Sequence, residues 1–261
     1  MLFMLRVVVA ICVFHGGATM VLAADRDKLL TEPGVFATFA VFKVEVDWWR
    51  LDRSTREAGI TAMKEAWRKH DDKVAADAYL LRGLSETADL MIRVHASEMV
   101  HNQNFLLDLM ATPFGRYWKN SHTFNGLTKK ANYVPSFPDD IKAGLKAPLD
   151  PSPRLYAIVV PIRKDADWWL LDQQTRVGLM QEHTQASLPY LKAVKRKLYH
   201  SNGLDDLDFI TYFETAKLDD FNSLIIGLES VRENKHNRRF GNPTLLGTIR
   251  PLEEILSIFS Q

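Results

Sequence analysis

Apolar residues fall along this chain in two successive series that predict the same elements in the same order. Residues 35–46 form an almost unbroken run rich in Phe and Val, the pattern of a strand covered on both faces, and residues 156–162 repeat it. A stretch of helical spacing follows each run. In the second, residues 171–187, Leu179 and His183 are four apart and Met180 and His183 three apart, which puts all three on one face. Two further strand-like runs then occur in each series, 79–82 and 89–94 in the first, 194–199 and 207–213 in the second, before another helical stretch. Strand–helix–strand–strand–helix is close to a ferredoxin-like unit.

The two series are related by sequence as well as by pattern. Residues 47–56 read Asp-Trp-Trp-Arg-Leu-Asp-Arg-Ser-Thr-Arg and residues 167–176 read Asp-Trp-Trp-Leu-Leu-Asp-Gln-Gln-Thr-Arg, identical at seven of ten positions with an offset of 120. A period of that length is too long for a solenoid and predicts a duplicated α+β domain, two ferredoxin-like α+β repeats within one chain. Between them lie Pro135, Pro138, Pro148, Pro151 and Pro153, five of the eleven prolines, which predict an extended join. The expected boundary is near residue 147, giving an N-terminal half 24–147 and a C-terminal half 148–261.

Residues 1–23 stand apart. Arg6 is their only charge, an apolar run follows it, Gly16-Gly17 breaks the run, and Val21-Leu22-Ala23 supplies small residues for cleavage before Ala24. The run is shorter than the roughly 20 residues a membrane span needs. This is the pattern of a cleaved secretory signal, and the expectation is export to a bacterial periplasm with no membrane attachment after cleavage.

Composition narrows the function classes. The chain of 261 residues carries 33 Lys+Arg against 32 Asp+Glu and is 46% apolar, so neither disorder nor the basic face of a general nucleic-acid binder is expected. Its one cysteine, Cys12, lies in the signal segment, so a disulfide framework, a zinc–cysteine site and a cysteine nucleophile are excluded from the remainder. No HExxH, Gly-rich phosphate loop or Gly-x-Ser-x-Gly elbow occurs.

Duplication separates scaffold from candidate chemistry, because what both halves share is most simply structural. The Trp pairs are shared, so Trp48 and Trp49 read as scaffold. At an offset of 120, however, His183 aligns with Met63 and Lys164 with Val44; at 119, Arg196 aligns with Asp77 and Thr211 with Ile92. His183 on an apolar face is either a satisfied core residue or a lone imidazole of the kind that ligates a haem iron. Strand alternation puts Val194, Arg196 and Leu198 on one face and Lys195 and Lys197 on the other, read as the wet face; Phe209, Thr211 and Phe213 align on the next strand. Arg196 either meets an anion or snorkels outward. Glu233 lies in a charged stretch whose carboxylates are ordinarily solvated, but a carboxylate beside a ligating imidazole would fix its tautomer.

Several of these segments together resemble the chlorite dismutase family, haem b enzymes that turn chlorite into chloride and dioxygen. The carrying pieces are Lys164-Asp-Ala-Asp-Trp-Trp169, Met180-Gln-Glu-His-Thr184, Val194-Lys-Arg-Lys-Leu-Tyr-His200, Phe209-Ile-Thr-Tyr-Phe213 and His236-Asn-Arg-Arg-Phe-Gly241. The resemblance covers essentially all of residues 24–261, and the chain is similar to the longer, exported, homopentameric branch. It implies a dimeric α+β barrel with one haem b (ferric iron) per chain, in the second half only. It further implies that His183 is the iron ligand, that Glu233 hydrogen-bonds it, and that Arg196 is the distal catalytic group for chlorite. Lys164, Trp168 and Trp169 match the group holding haem and its propionates, with Asn132 and Tyr133 beside them; Leu198, Thr211 and Phe213 match the distal wall. Rival readings within the superfamily are a coproheme decarboxylase, a haem peroxidase and a periplasmic haem carrier.

Overall fold

The computed structural model describes residues 23–261; the expected signal segment lies, but for Ala23, outside the described residues. Among the described residues, nine strands and eight α-helices follow one another in two similar passages. The first contains α1 (Arg26–Thr31), β1 (Phe36–Val44), α2 (Arg53–Arg68), β2 (Ala75–Leu80), β3 (Leu90–Ala96), α3 (Met99–Ala111) and β4 (Trp118–Leu127). After α4 (Asp139–Leu145) the second contains β5 (Tyr156–Lys164), α5 (Ala166–Leu170), α6 (Gln173–Ser187), β6 (Val194–His200), β7 (Phe209–Thr215) and α7 (Leu218–Glu229). It ends with β8 (Asn237–Phe240), β9 (Leu245–Ile249) and α8 (Leu252–Ser260). Among the described residues no helix is long and apolar enough to cross a membrane.

The repeated sequence block has a local reason. Asp52 and Asp172 cap α2 and α6, each accepting from the backbone N–H of the Thr three residues on, at 2.9 Å in both cases. A second shared pair, Asp89 and Asp208, accepts from the backbone N–H of Val44 and Lys164 and so ties the end of each half's first strand.

Strand order within the halves is β4-β1-β3-β2 and β6-β7-β5-β9, the ferredoxin-like order twice, with every pair antiparallel. The halves join edge to edge through β2–β9 (Tyr79↔Ile249, Leu80↔Thr248) and β4–β6 (Leu127↔His200). Since β5 also pairs with β7, the sheet closes into a barrel without free inner edges. Closure explains the unbroken apolar runs. Alternate residues of β1 face inward (Ala37, Phe39, Val41) into a core shared with Val159, Tyr199 and Tyr212 of the other half, while Ala40, Phe42 and Val44 face the helices.

Two expectations need correction. The proline-rich join is not extended throughout, because α4 forms where prolines are missing: Pro138 precedes it and Asp139 and Asp140 occupy its first turn, favourable against the helix dipole. The strand expected at 79–82 is β2, Ala75–Leu80; its Ala-Ala-Asp-Ala start has little intrinsic strand preference and is held by pairing with β3.

Candidate active site

The register of β5, β7 and β6 brings one row of side chains to the helix-facing side of the second half. Arg196 pairs with Phe213 and Leu198 with Thr211, while Thr211 and Phe213 pair with Val160 and Ile158. Phe213, Ile158 and Val160 join Leu224 and Leu228 of α7 in a core cluster. Toward Leu198 that cover stops, leaving Leu198 45% exposed, and Arg196 is exposed too. Thr211 spends its hydroxyl on the Val160 carbonyl, 3.0 Å away, and so presents its methyl group. Exposure on β6 is thus divided between its faces, and the reading of the Lys195–Lys197 face as the wet one holds at Lys195 alone. Lys195 is exposed, but Tyr199 on the same face is fully buried in the barrel and Lys197 bonds the Leu30 carbonyl.

Facing this row, α6 presents His183. Its Nδ1 lies 3.1 Å from Oε2 of Glu233, which is 4% exposed, and the other carboxylate oxygen contacts the Lys164 ammonium. Lys164 donates to Asn237 Oδ1 at 2.7 Å and sits 4.4 Å above the Trp168 ring. Burial first, then the charges of Arg196 and Lys164, push the His183 pKa down to about 3. The imidazole is thus neutral; with Nδ1–H donated to Glu233, Nε2 keeps a free lone pair. Burial also draws Lys164 down to about 7, against Asp165 and Asp208, which favour its charged form, as does the Glu233 contact. Among the described residues Arg196 has no carboxylate partner and donates only to Ser187 Oγ at 3.3 Å. Solvent reaches it through the gap, yet surrounding protein strips enough hydration to lower its pKa; a guanidinium stays cationic at neutral pH regardless.

The first half shows what these groups replaced. At offsets of 120 or 119, Val44, Met63, Trp67, Phe114 and Trp118 stand where the second half has Lys164, His183, Ser187, Glu233 and Asn237. The registers agree: Val44 pairs with Trp118, and Lys164 with Asn237. In the first half α2 drives Met63 into a core with Phe105, Phe114 and Trp118, and α8 closes it. In the second half no α6 side chain enters the corresponding core cluster. Trp48 Nε1 donates to the Phe259 carbonyl of α8 at 2.7 Å, whereas Trp168 Nε1, its counterpart, is buried with no acceptor among the described residues. A slot is left between α6 and the sheet, with a free imidazole nitrogen and, among the described residues, a guanidinium without a carboxylate partner; the orphaned indole N–H of Trp168 lies on α5, its ring by Lys164.

That donor set fits a haem: one neutral imidazole nitrogen able to ligate iron, apolar and aromatic walls, and hydrogen-bond donors for an anionic edge. Among the described residues no three His, Cys, Asp or Glu side chains converge as a cage for a bare metal ion. Trp169 is 43% exposed at the rim, stacked on Phe209 at 6.2 Å. Asn132, exposed, and Tyr133, half-buried, precede a 3₁₀ turn whose Ser136 carbonyl accepts from Gln181 of α6; no hydrogen bond joins either to the His183 cluster. Ser187 and Asn237 were not singled out by sequence reasoning, although aligning the halves residue by residue exposes both as polar replacements of tryptophan.

Comparison with known proteins agrees with this geometry. The family model described as chlorite dismutase matches residues 56–250. A curated chlorite dismutase from Ideonella dechloratans is 43% identical over 90% of this chain and 84% of its own length. A coproheme decarboxylase from Mycolicibacterium smegmatis is 27% identical over 78% of this chain and 84% of its own length. The solved chlorite dismutase of Candidatus Nitrospira defluvii superposes with a TM-score of 0.89 at 53% identity, covering 91% of this chain and all of that one. A heme-binding protein from Thermus thermophilus, at 19% identity and a TM-score of 0.72 over 88% of this chain and 96% of its own, shares the fold. By sequence and by fold, the chain belongs to the chlorite dismutase family.

Proposed function

We propose that the slot takes one haem b per chain and that the protein converts chlorite into chloride and dioxygen. The observation that carries the reading is the pairing of a neutral imidazole, His183, with a cation that has no carboxylate of its own among the described residues, Arg196, across one apolar gap. When bound, ferric haem supplies the centre at which the chlorine–oxygen bonds of chlorite are exchanged for an oxygen–oxygen bond. His183 would offer Nε2 to the iron, with Glu233 fixing its tautomer and making it more basic. Lys164 and the Trp168 N–H supply donors for the anionic edge, with Trp169, Asn132 and Tyr133 at the rim.

Arg196 does two things in this reading. It would draw a small anion to the gap, and it would keep a chlorine-bearing anion from escaping. Leu198, the Thr211 methyl and Phe213 keep that space poor in water. The overall change, chlorite to chloride plus dioxygen, neither consumes nor releases a proton. A wall without a general base is therefore sufficient, whereas peroxide cleavage would need one. Arg196 also favours chlorite chemistry over the decarboxylase and carrier readings, which have no use for an unpaired cation in the pocket. We extend the proposal to export, with cleavage before Ala24, and to a homopentamer, on the character of residues 1–23 and the resemblance to the exported branch.

The test is dioxygen evolution from chlorite by haem-loaded residues 24–261. One dioxygen and one chloride per chlorite are expected, and Arg196→Ala is expected to keep haem, lose about tenfold or more of kcat/KM and release trappable hypochlorite. A fully loaded protein that evolves no dioxygen overturns the reaction; an Arg196→Ala variant with unchanged turnover overturns the role of the arginine.

A further inference from the structure

A second concave space lies on the other face of the same strands. A cavity of about 570 Å³ opens where β9 leaves β2 unpaired over its first residues. Lys195, Tyr212 and Glu214 line it, and they alternate along β6 and β7 with Arg196, Thr211 and Phe213, so the thickness of the sheet separates it from the slot.

Its charges do not balance. Arg26, Arg93, Arg154, Lys195 and Arg250 line it, against the carboxylates Asp77 and Glu214. Asp77 is shared by Arg26 at 2.5 Å and Arg93 at 2.8 Å, and Glu214 serves Lys195 at 3.2 Å and Arg93 at 4.0 Å. Glu214 also accepts from the Tyr212 hydroxyl at 2.8 Å. Arg250 is neutralised by Glu254, outside the lining, at 2.5 Å. Among the described residues Arg154 has no ion pair and donates only to the carbonyls of Asp150 and Ser152. Five cations thus meet three carboxylates.

The hydrogen bonds do not close either. Arg93 is 5% exposed, lies 4.0 Å over the Tyr212 ring, and its Nε–H has no acceptor among the described residues; the buried Nε–H of Arg154 has none. A cavity of small-molecule size with a net positive lining suits an oxygen-bearing anion from outside the chain, met by the terminal guanidinium and ammonium groups rather than by the buried Nε–H.

We propose that this cavity binds a small molecule carrying at least two negative charges on phosphate or carboxylate oxygens. Its site is separate from the slot, and the proposal does not depend on the reaction assigned there. Isothermal titration of the haem-loaded protein with pyrophosphate and with citrate, at ionic strength matched by chloride, tests it. Saturable binding of one molecule per chain is expected with one or both probes, the tighter probe identifying phosphate or carboxylate as the preferred chemistry. Arg154→Gln is expected to weaken it about tenfold or more while chlorite turnover is unchanged, and Arg154→Lys, which keeps charge but not the guanidinium fork, to fall between. No saturable heat with either probe up to about 10 mM overturns the proposal. So does binding that Arg154→Gln and Arg93→Lys both leave intact.

Discussion

Trp48 and Trp168 are one residue in two settings. Each is fully buried beneath its half's helix, but only Trp48 finds an acceptor, the Phe259 carbonyl. In the haem-free chain, Trp48→Phe is therefore expected to cost about 1 kcal/mol more than Trp168→Phe, since only the former loses a hydrogen bond. Urea melts give that difference, and haem titration is expected to show weakened binding for Trp168→Phe alone. A second residue-scale consequence concerns His95, fully buried with Nε2 2.8 Å from the Tyr199 hydroxyl. Burial, then the charges of Arg93, Lys197 and Arg26, hold its pKa well below the ordinary value of 6.5. The folded state keeps the ring neutral while the unfolded chain takes up a proton below that value. Stability is therefore complete above pH 6.5 and falls below it, by up to ~1.4 kcal/mol per pH unit from this group. Denaturant melts between pH 4 and 8 are expected to show a shallower acid slope in His95→Gln; an unchanged slope would remove His95 as its source.

At the scale of elements, the second half is the first with its helix lifted away. Met63, Trp67, Phe114 and Trp118 make α2 part of a core, and the α8 residues Ile255, Leu256 and Phe259 complete it. Phe259→Ala is expected to destabilise the protein by about 3–5 kcal/mol through the cavity left against Trp48 and Phe114, read from chemical denaturation, while haem loading stays normal. Much of this arrangement was legible in the chain. The repeated capping block set the offset, continuous apolar runs marked strands covered on both faces, and unmatched polar residues on matched positions pointed to His183, Lys164 and Arg196. The burial of Tyr199 beside the exposed Lys195 was not legible, because alternation divides a strand into two faces without saying how far a neighbouring half will cover either. The burial of Glu233 was equally hidden, since a carboxylate in Glu-Ser-Val-Arg-Glu looks solvated until the fold brings His183 and Lys164 to it from distant segments.

At the scale of the molecule, the barrel depends on two seams with few hydrogen bonds and a glycine beside each, Gly126 on β4 and Gly247 on β9. A Cβ on Gly126 would lie 2.8 Å from the Tyr199 Cβ and 3.3 Å from the His200 carbonyl, neither of which can swing aside. Gly126→Ala is expected to cost about 1–3 kcal/mol and to loosen both halves together, visible as a single lowered thermal transition with faster haem loss. A different consequence follows from α8, which comes after the second half in sequence but seals the first. The ribosome delivers β1 to β4 long before Ile255 and Phe259, so the first half emerges with Trp48 and Phe114 uncovered and no means of covering them itself. Maturation of the first half is thus timed by a segment made only after the second half. An early product of translation stays pliable, and the first half locks once α8 has been made.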